Sequence, residues 1–256
     1  MKNKKIFFSI ICPIYNLENF IKPLINTIKN QSYKNFEILF VNDGSTDASI
    51  KLLKKDIIKT KIKYLIINSK KNRGPGWARN KAIKLSNYEW VAFLDGDDLW
   101  HKDKLRVVKE QILIFRNKNF FIHWEKFFPI NGNKNTLKHG RINKLNDIKS
   151  DLYKKNFFST SAVVLNKNII ENQYFNENLP NAQDYEFWLR ISKNIEDHTI
   201  KKVLGYYIER NNNITSRGYL KKLPALLYIC IKYMNYDLRF FIIKLIKIFF
   251  TLNWIR

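Results

Sequence analysis

The residues best able to do chemistry are three carboxylates that follow a short apolar segment. Residues 90–94 are continuously apolar, and Asp95, Gly96, Asp97 and Asp98 follow at once. An apolar run that ends at a turn signal predicts a buried strand, so the acids lie at a strand end. Carboxylates this close repel one another unless a cation lies among them, and hard oxygen ligands favour Mg2+ or Mn2+. The alternative is a solvated acidic turn without a metal. The neighbouring segments of the sequence distinguish between these two interpretations.

Polar residues also follow the first two predicted strands. Residues 6–12 end before Pro13 and Tyr15, and residues 36–41 end two positions before Asp43. In a parallel sheet covered by helices, the ligand crevice lies beyond the carboxyl ends of the strands. We therefore expect these residues and the acidic cluster to converge on one edge of the sheet.

Strands and helices alternate four times with short connections in the first hundred residues. This pattern predicts an α/β fold with a mostly parallel, Rossmann-like sheet flanked by helices. The second half is less regular, and residues 131–138 show no apolar periodicity and are predicted to form a loop. The predicted strands are 6–12, 36–41, 64–67, 90–94, 120–128, 161–165 and 203–209, and the predicted helices are 19–30, 48–59, 77–85, 105–115 and 182–191.

The composition is that of a globular protein with a large excess of positive charge. The 256 residues are 45% hydrophobic, enough for one good-sized domain with an appendage. The net charge of +24 favours nucleic acid, an anionic membrane or phosphorylated substrates as partners. Lysine supplies 36 of the 46 basic residues across the whole sequence, so charge alone does not indicate nucleic-acid binding. Cys12 and Cys230 show no metal or disulfide spacing, which fits a reducing compartment.

The tail (residues 217–256) differs in character from the rest of the chain. It carries eight basic residues and one acid, Asp237, among long apolar runs. Lys244 and Lys247 interrupt the second run, which leaves fewer than the ~20 apolar residues that a membrane-spanning helix needs. Two alternatives stay open: an amphipathic helix in the membrane surface with its lysines at the lipid headgroups, or two helices packed on the preceding domain.

Five motifs, in order, relate the chain to a known family. The sequence resembles the inverting glycosyltransferases of family 2, which share a nucleotide-binding, Rossmann-like A-type fold. The resemblance covers about residues 6–216 and implies a catalytic domain over 1–216, with a nucleotide-sugar-binding half (1–100) and an acceptor-side half (101–216), followed by the helical tail. The motifs are Pro13-x-Tyr15-Asn16, residues 41–47 (VNDGSTD), Asn72-x-Gly74-x-x-x-Ala78-Arg79-Asn80, residues 93–98 (FLDGDD) and residues 183–190 (QDYEFWLR).

The resemblance implies a donor site built from the strand ends. Asp43 would accept hydrogen bonds from the base or ribose of a nucleotide-sugar, and Tyr15, after Pro13, would stack on the base. Capping of the next helix is the alternative for Asp43, and simple burial beside Pro13 is the alternative for Tyr15. Gly96 would let the backbone pass close to the ligand. Arg79 would approach the diphosphate or support the acidic cluster, with a structural salt bridge as the alternative.

The resemblance also implies a divalent metal, Mn2+ or Mg2+, at the acidic cluster. Asp97 would be its direct ligand, and Asp95 would face the ribose or a metal-bound water. Asp98 would orient these acids or cap the following turn. Such an ion would stabilise the charge that develops on the departing nucleoside diphosphate.

Asp184 is the expected catalytic base, because it matches the acid of the family's [E/Q]D motif. It would take the proton from the acceptor hydroxyl, and the alternative is an N-cap for the helix that follows. Gln183 stands where many relatives have Glu, which removes one charge but keeps the base. The acceptor side is expected to include Ser159, Thr160 and Trp188.

These features predict a metal-dependent inverting glycosyltransferase that moves a hexose or N-acetylhexosamine from a UDP-sugar to a hydroxyl of a surface glycan or lipid-linked glycan. We expect a cytoplasmic enzyme, free or peripheral on the inner face of the membrane, with no nucleic-acid partner. Residues 207–210 lack the Arg and His of the family's Tyr-Arg-x-His pattern, where Arg210 could substitute. The alternatives are a nucleotidyltransferase of similar fold and a non-enzymatic basic module that binds nucleic acid or membrane.

Overall fold

The computed structural model describes residues 5–129, 136–138, 147–209 and 219–253. The first four strands are β1 (Phe8–Ile14), β2 (Phe36–Asn42), β3 (Lys63–Asn68) and β4 (Trp90–Phe93). They are parallel and lie in the order β3-β2-β1-β4. All seven residues of β2 are buried, as expected for a central parallel strand that is covered on both faces.

Three helices connect these strands and cover the two faces of the sheet: α1 (Ile21–Lys29), α2 (Ser49–Ile57) and α3 (Pro75–Leu85). Apolar residues of α1 and α2 join one core cluster, whereas those of α3 join a second cluster. Alternate residues of β1 and β2 belong to different clusters, so the clusters lie on opposite faces. Gly74 precedes α3 with a φ of +91°, a conformation that favours a residue without a Cβ.

The second half extends the same sheet with both parallel and antiparallel strand pairs. Its elements are β5 (Leu99–Trp100), α4 (Lys104–Ile114), β6 (Phe120–Phe128), β7 (Thr136–Lys138), α5 (Ile148–Lys154), β8 (Val163–Asn166), α6 (Gln183–Ile191) and β9 (Asp197–Ile208). The order continues from β4 through β8, β6 and β9 to β5, and β7 pairs with β6. Because β8 runs antiparallel to β4, the residues that precede β8 lie beside those that follow β4.

The α/β, Rossmann-like class expected from the sequence is confirmed. The parallel arrangement holds for the first four strands, whereas β5, β7 and β8 run antiparallel to their neighbours. The loop prediction for 131–138 is wrong at its end, since Thr136–Lys138 is a strand. Three residues are too few to show an alternating pattern, so the sequence carried no signal for β7. Residues 130–135 lie outside the described part of the chain.

Pro13 lies inside β1, although the first strand was expected to end at residue 12. Proline cannot donate a hydrogen bond to a neighbouring strand, so it is poorly tolerated between two partners. The pairing of β1 with β4 ends at Ile11, and beyond it β1 pairs with β2 alone. The strand can therefore continue through Pro13 on one side.

The tail forms two further helices, α7 (Tyr219–Lys232) and α8 (Leu238–Asn253). Ile229 and Cys230 of α7 are buried. The ammonium of Lys244 in α8 donates to the Tyr153 carbonyl and the Tyr185 hydroxyl, and burial lowers the pKa of Lys244 to about 8. Lys244 therefore faces α5 and α6, which excludes a place at lipid headgroups for this lysine, one of the two alternatives left open. Within the described ranges, no helix is both long and apolar enough to cross a membrane.

Candidate functional site

The residues singled out by the sequence, except Trp188, meet in one cleft of about 1100 Å³ at the carboxyl edge of the first four strands. The parallel order explains this convergence, because β1, β2 and β4 all end at that edge. Segments before β8 and α6 also line the cleft. The expected residues that line the cleft are Pro13, Tyr15, Asp43, Arg79, Asp95, Gly96, Asp97, Ser159, Thr160 and Asp184.

Asp43 fixes the loop that leads into α3. Its Oδ1 accepts from the Arg73 amide at 2.8 Å, and its Oδ2 accepts from the Gly74 amide at 2.7 Å. Burial raises the pKa of the Asp43 carboxyl, and the two amide hydrogen bonds oppose the rise. Asp43 does not cap α2, since Asp47 accepts from the Ser49 amide at 3.0 Å there. A carboxylate oxygen can accept more than one hydrogen bond, and Asp43 lines the cleft.

The loop after β1 lies against the loop after β4. Tyr15 is 45% exposed, which excludes simple burial beside Pro13. A Cβ on Gly96 would lie 2.5 Å from Leu17 Cδ1 and 3.1 Å from the Pro13 carbonyl oxygen. The missing side chain of Gly96 thus lets the loop after β4 approach the loop after β1 closely. This contact holds the ends of β1 and β4 beside each other.

Arg79 of α3 supports the acidic cluster. Its Nη2 lies 2.6 Å from Asp95 Oδ1, and its side chain is only 7% exposed. The guanidinium also lies 5.5 Å from the centre of the Phe175 ring. Burial works against the charge, but Asp95, followed by Asp184 and Asp97, raises the pKa of Arg79. The guanidinium of Arg79 therefore interacts with the carboxylates of Asp95 and Asp97 after β4 and with the carboxylate of Asp184 on α6.

The acidic cluster brings the carboxyl groups of Asp95, Asp97 and Asp98 to the cleft. Asp98 is 2% exposed and accepts from Ser161 Oγ at 2.5 Å. Burial, followed by the charges of Asp97 and Asp95, raises the pKa of Asp98 well above its ordinary value. Among the described residues, no three His, Cys, Asp or Glu side chains are placed to hold a metal ion by themselves. Carboxylates at 95 and 97 fit a cation that takes most of its ligands from a diphosphate and water.

Asp184 lies in the first turn of α6 and lines the cleft. The N-cap of this helix is Ala182, with a φ of +53°, so the capping alternative for Asp184 is wrong. Its Oδ2 lies 3.4 Å from Thr160 Oγ1 and 3.5 Å from Asn156 Nδ2. These are long contacts, which leave the carboxylate able to accept a stronger hydrogen bond from a substrate.

Gln183 holds the start of α6 against the start of α3, a function that the sequence did not reveal. Its Oε1 accepts from the Gly76 amide at 2.7 Å, and its Nε2 donates to the Leu179 carbonyl at 2.7 Å. A Cβ on Gly76 would lie 2.6 Å from that Oε1, so a side chain there would displace the Gln183 amide from this hydrogen bond. A glutamate at position 183 could accept the hydrogen bond from the Gly76 amide but could not donate one to the Leu179 carbonyl. Glutamine, next to Asp184, makes both hydrogen bonds.

The acceptor-side residues divide between the cleft and the core. Ser159 donates to Glu125 Oε2 at 2.6 Å, and Thr160 contacts Asp184. Trp188 is 0% exposed and does not line the cleft, so its expected contact with an acceptor is wrong. An apolar helix face packs inward, and this tryptophan follows that rule. The rings around it are Phe93, Phe120, Phe158, Phe175 and Phe187.

Asn80, next to Arg79 on α3, anchors the loop that closes one end of the cleft. Its Nδ2 donates to the Phe175 carbonyl at 2.9 Å and to Glu177 Oε1 at 2.8 Å. Its Oδ1 accepts from the Phe175 amide at 2.8 Å. The sequence signal that could have identified Asn80 is a side-chain amide on the buried face of a predicted helix. Arg210 and its neighbours to residue 216 lie outside the described ranges, so their expected diphosphate contact stays a prediction.

Comparison with known proteins identifies the family. The model of glycosyl transferase family 2 matches residues 9–173, more than half of the chain. An uncharacterised glycosyltransferase of Rickettsia conorii is 33% identical over 199 residues, 73% of this chain and 30% of that protein. WfaP of Escherichia coli, named UDP-Glc:alpha-D-GlcNAc-diphosphoundecaprenol beta-1,3-glucosyltransferase, is 30% identical over 207 residues, 78% of this chain and 76% of WfaP. The chain spans about 30% of the length of the Rickettsia relatives that it matches.

Solved structures share the fold. TarS of S. aureus in complex with UDP-GlcNAc matches with a TM-score of 0.73 and 23% identity, over 91% of this chain and 68% of that one. The mannosyltransferase PcManGT of Pyrobaculum calidifontis, in complex with GDP-Man and Mn2+, matches with a TM-score of 0.66 and 18% identity, over 91% and 65%. At these identities the likeness concerns the fold alone. The family model matches more than half of the chain, and the cleft lies at the strand ends, where the fold predicts it. This chain belongs to glycosyl transferase family 2.

Proposed function

We propose that this chain is a metal-dependent inverting glycosyltransferase that moves a sugar from a nucleotide-sugar to a hydroxyl of a glycan acceptor. The observation that carries the proposal is the shared cleft, which is bordered by the acids after β4 and by Asp184 at the start of α6. A diphosphate bound near the acids would present the sugar toward that carboxylate. The family match supports this use of the cleft.

The donor end of the cleft offers a stacking surface and a hydrogen-bond acceptor. The exposed ring of Tyr15 would stack on the base, and the remaining acceptor positions of Asp43 would bind ring N–H or ribose hydroxyl groups. UDP is the nucleotide that we expect, because WfaP is named for UDP-Glc and the TarS complex holds UDP-GlcNAc. The lipid-linked acceptor in the name of WfaP supports a lipid-linked glycan here.

Asp97 and Asp95 would hold the divalent cation, Mn2+ or Mg2+. A bound cation supplies positive charge that stabilises the departing nucleoside diphosphate. The grouping of Asp95 and Asp97 in the cleft and the Mn2+ in PcManGT support this assignment. Arg79 keeps Asp95 in place beside it through the 2.6 Å contact.

Asp184 would act as the base that inversion requires. It accepts the proton of the acceptor hydroxyl while that oxygen attacks the anomeric carbon. The bond from the anomeric carbon to the diphosphate oxygen breaks on the opposite face, and its electron pair leaves with the nucleoside diphosphate. The configuration is thereby inverted, and the proton ends on Asp184. Ser159 and Thr160 line the cleft beside this position, where an acceptor would bind.

Replacing Asp97 by Asn is expected to weaken metal-dependent binding of UDP by roughly tenfold or more, because loss of a carboxylate ligand weakens the cation site. Calorimetric titration of UDP with Mn2+, and again with EDTA, measures this effect. Asp56→Asn is the control, since Asp56 forms an exposed ion pair with Lys59 on α2. Absence of metal-dependent binding of UDP, GDP and dTDP by the unmodified chain contradicts the proposal.

The same protein preparation tests the two alternatives. A nucleotidyltransferase would release pyrophosphate from a nucleoside triphosphate and a sugar phosphate, whereas a glycosyltransferase would release a nucleoside diphosphate from a nucleotide-sugar. A basic binding module would bind nucleic acid with a steep salt dependence and show no turnover. The loop after β1, with Pro13 and Tyr15, lacks the Gly-rich basic sequence typical of nucleotidyltransferases.

The exposed face of α8 is proposed to lie on an anionic membrane, which would bring the cleft to a lipid-linked acceptor. A second copy is a poor occupant of this apolar face, because each chain carries a net charge of +24. Exposed Arg239 lies on the same helix. The exposed apolar residues are Leu238, Ile242, Ile243, Leu245 and Ile246.

Replacing both Ile242 and Ile246 by Glu is expected to lower binding to anionic vesicles more than tenfold, because each buried isoleucine contributes about 1.5–3 kcal/mol. Flotation with phosphatidylglycerol vesicles and with neutral phosphatidylcholine vesicles measures this effect. Ile58→Glu is the matched control, since Ile58 is 70% exposed next to α2. Equal flotation of all variants, or no flotation of the unmodified chain, rejects the membrane contact.

A further inference from the structure

Ser161 is a buried serine, 1% exposed, that lies just before β8 and beside the end of β4. Its hydroxyl accepts from the Asp95 amide at 3.0 Å and donates to Asp98 Oδ2 at 2.5 Å. The acidic loop (residues 95–98) is therefore held at both ends by one hydroxyl group.

The carbonyl oxygen of Ser161 is held in turn by two residues from the other side. Lys104 Nζ donates to it at 2.6 Å, and the Trp100 indole donates at 3.2 Å. Lys104 is 0% exposed, and its ammonium lies 3.6 Å from the centre of the Trp100 ring. A buried ammonium costs folding free energy, and a buried ion pair is weak evidence for a stabilising role. A role in fixing the position of Ser161 accounts for its presence.

The two residues before Ser161 direct their hydroxyls to other acids around the cleft. Ser159 Oγ donates to Glu125 on β6 at 2.6 Å, and Thr160 Oγ1 lies 3.4 Å from Asp184 on α6. Three consecutive hydroxyl groups thus contact acids from three separate elements. Ser161, which holds the acidic loop, is therefore directly bonded in the chain to Thr160, which contacts the proposed base Asp184.

We propose that Ser161 is a positioning residue that keeps the acidic loop in the arrangement needed to bind the diphosphate with its cation, and keeps it in register with Asp184. Lys104 fixes Ser161 from behind through the carbonyl oxygen. This inference rests on the proposed function, because it assigns a structural cause to the geometry of that site. It concerns a residue that does not itself touch substrate.

Ser161→Ala is expected to reduce the gain in UDP affinity that Mn2+ produces by about tenfold, the range typical for partners that orient metal ligands. UDP affinity measured in EDTA is expected to stay unchanged, because base and ribose contacts lie at other strand ends. Ser161→Thr, which keeps the hydroxyl, is expected to recover the gain. If Ser161→Ala does not fold, Ser161→Cys serves instead, because it keeps the volume and weakens both hydrogen bonds.

Ser9→Ala is the matched control. Ser9 is also buried, accepts from the Tyr88 amide at 3.1 Å and donates to Glu37 at 2.8 Å, but it lies at the amino end of β1. Both variants are expected to lower the melting temperature, and only the change at Ser161 reduces the metal-dependent gain. An unchanged gain in Ser161→Ala, with a melting temperature lowered as in Ser9→Ala, overturns the inference. Absence of any metal-dependent gain in the unmodified chain with UDP, GDP or dTDP means that the proposed function has failed.

Discussion

Asp184→Asn is expected to lower kcat by about 10²–10⁴-fold, the contribution typical of a positioned general base. Asparagine has the same shape and can still contact Thr160 and Asn156, so the cleft keeps its geometry. It cannot accept the proton of an attacking hydroxyl. Loss of rate with little change in donor affinity is therefore the pattern expected from removing the base alone.

The measurement combines steady-state kinetics with a titration of the nucleotide. The donor is the nucleotide-sugar from which the unmodified chain transfers, and its nucleoside diphosphate is titrated with Mn2+ present. Asp56→Asn, with its exposed ion pair on α2, is the control for removal of an acid. Unchanged kcat in Asp184→Asn would show that another group accepts the proton. A parallel loss of nucleotide binding would instead place Asp184 in the donor site.

Arg79→Met is expected to lower the free energy of unfolding by about 3 kcal/mol, near the lower end for breaking a buried ion pair. The lower end applies because the Asp95 side chain keeps 29% exposure to water. Methionine preserves much of the apolar stem but leaves Asp95 without its counter-charge, next to Asp97 and Asp98. Urea denaturation of the unmodified chain and the variant measures the loss.

A double-mutant cycle separates lost charge balance from lost packing. Asp95→Asn in the Arg79→Met background removes the unpaired carboxylate, so the double variant is expected to be more stable than Arg79→Met alone. If the single and double variants unfold at the same urea concentration, packing of Arg79 on Phe175 rather than its charge accounts for the loss. Arg79→Lys, which retains the charge, is expected to lose less stability than Arg79→Met.

The first hundred residues show how much of the fold was legible in the sequence. Near-continuous apolar runs bounded by turn residues predicted the four parallel strands. Both faces of β1, β2 and β4 are buried, so the local pattern reports burial directly, whereas β3 is an edge strand whose residues are exposed or half-buried. The observed bounds differ from the expected ones by about two residues, as at Pro13. The start of β9 at Asp197 lies six residues before the expected strand, since polar residues there pair with β6 and leave no apolar pattern.

The contacts within the candidate site were less predictable from the sequence than the strands. Many of the residues that line the cleft were identified from motifs, and Arg79 was expected to approach the diphosphate or to support the acidic cluster, but the individual hydrogen-bond partners were not predicted. Asp43 bonds to backbone amides, Arg79 pairs with Asp95, and Gln183 joins two helix starts. Trp188 was assigned to the acceptor side, yet it lies one helical turn beyond Asp184, and only the first turn of α6 borders the cleft, so the tryptophan is buried in the core.

The sequence by itself determined the α/β class, the family and the positions of the acids, because apolar periodicity and short motifs are local properties of the chain. Only the tertiary structure decided that β8 runs antiparallel beside β4, which brings Ser161 to Asp95 and Asp98 across more than sixty positions of sequence. It also decided that Lys244 faces the domain rather than lipid. Such contacts depend on which elements pack together, and no local pattern in the chain encodes that choice.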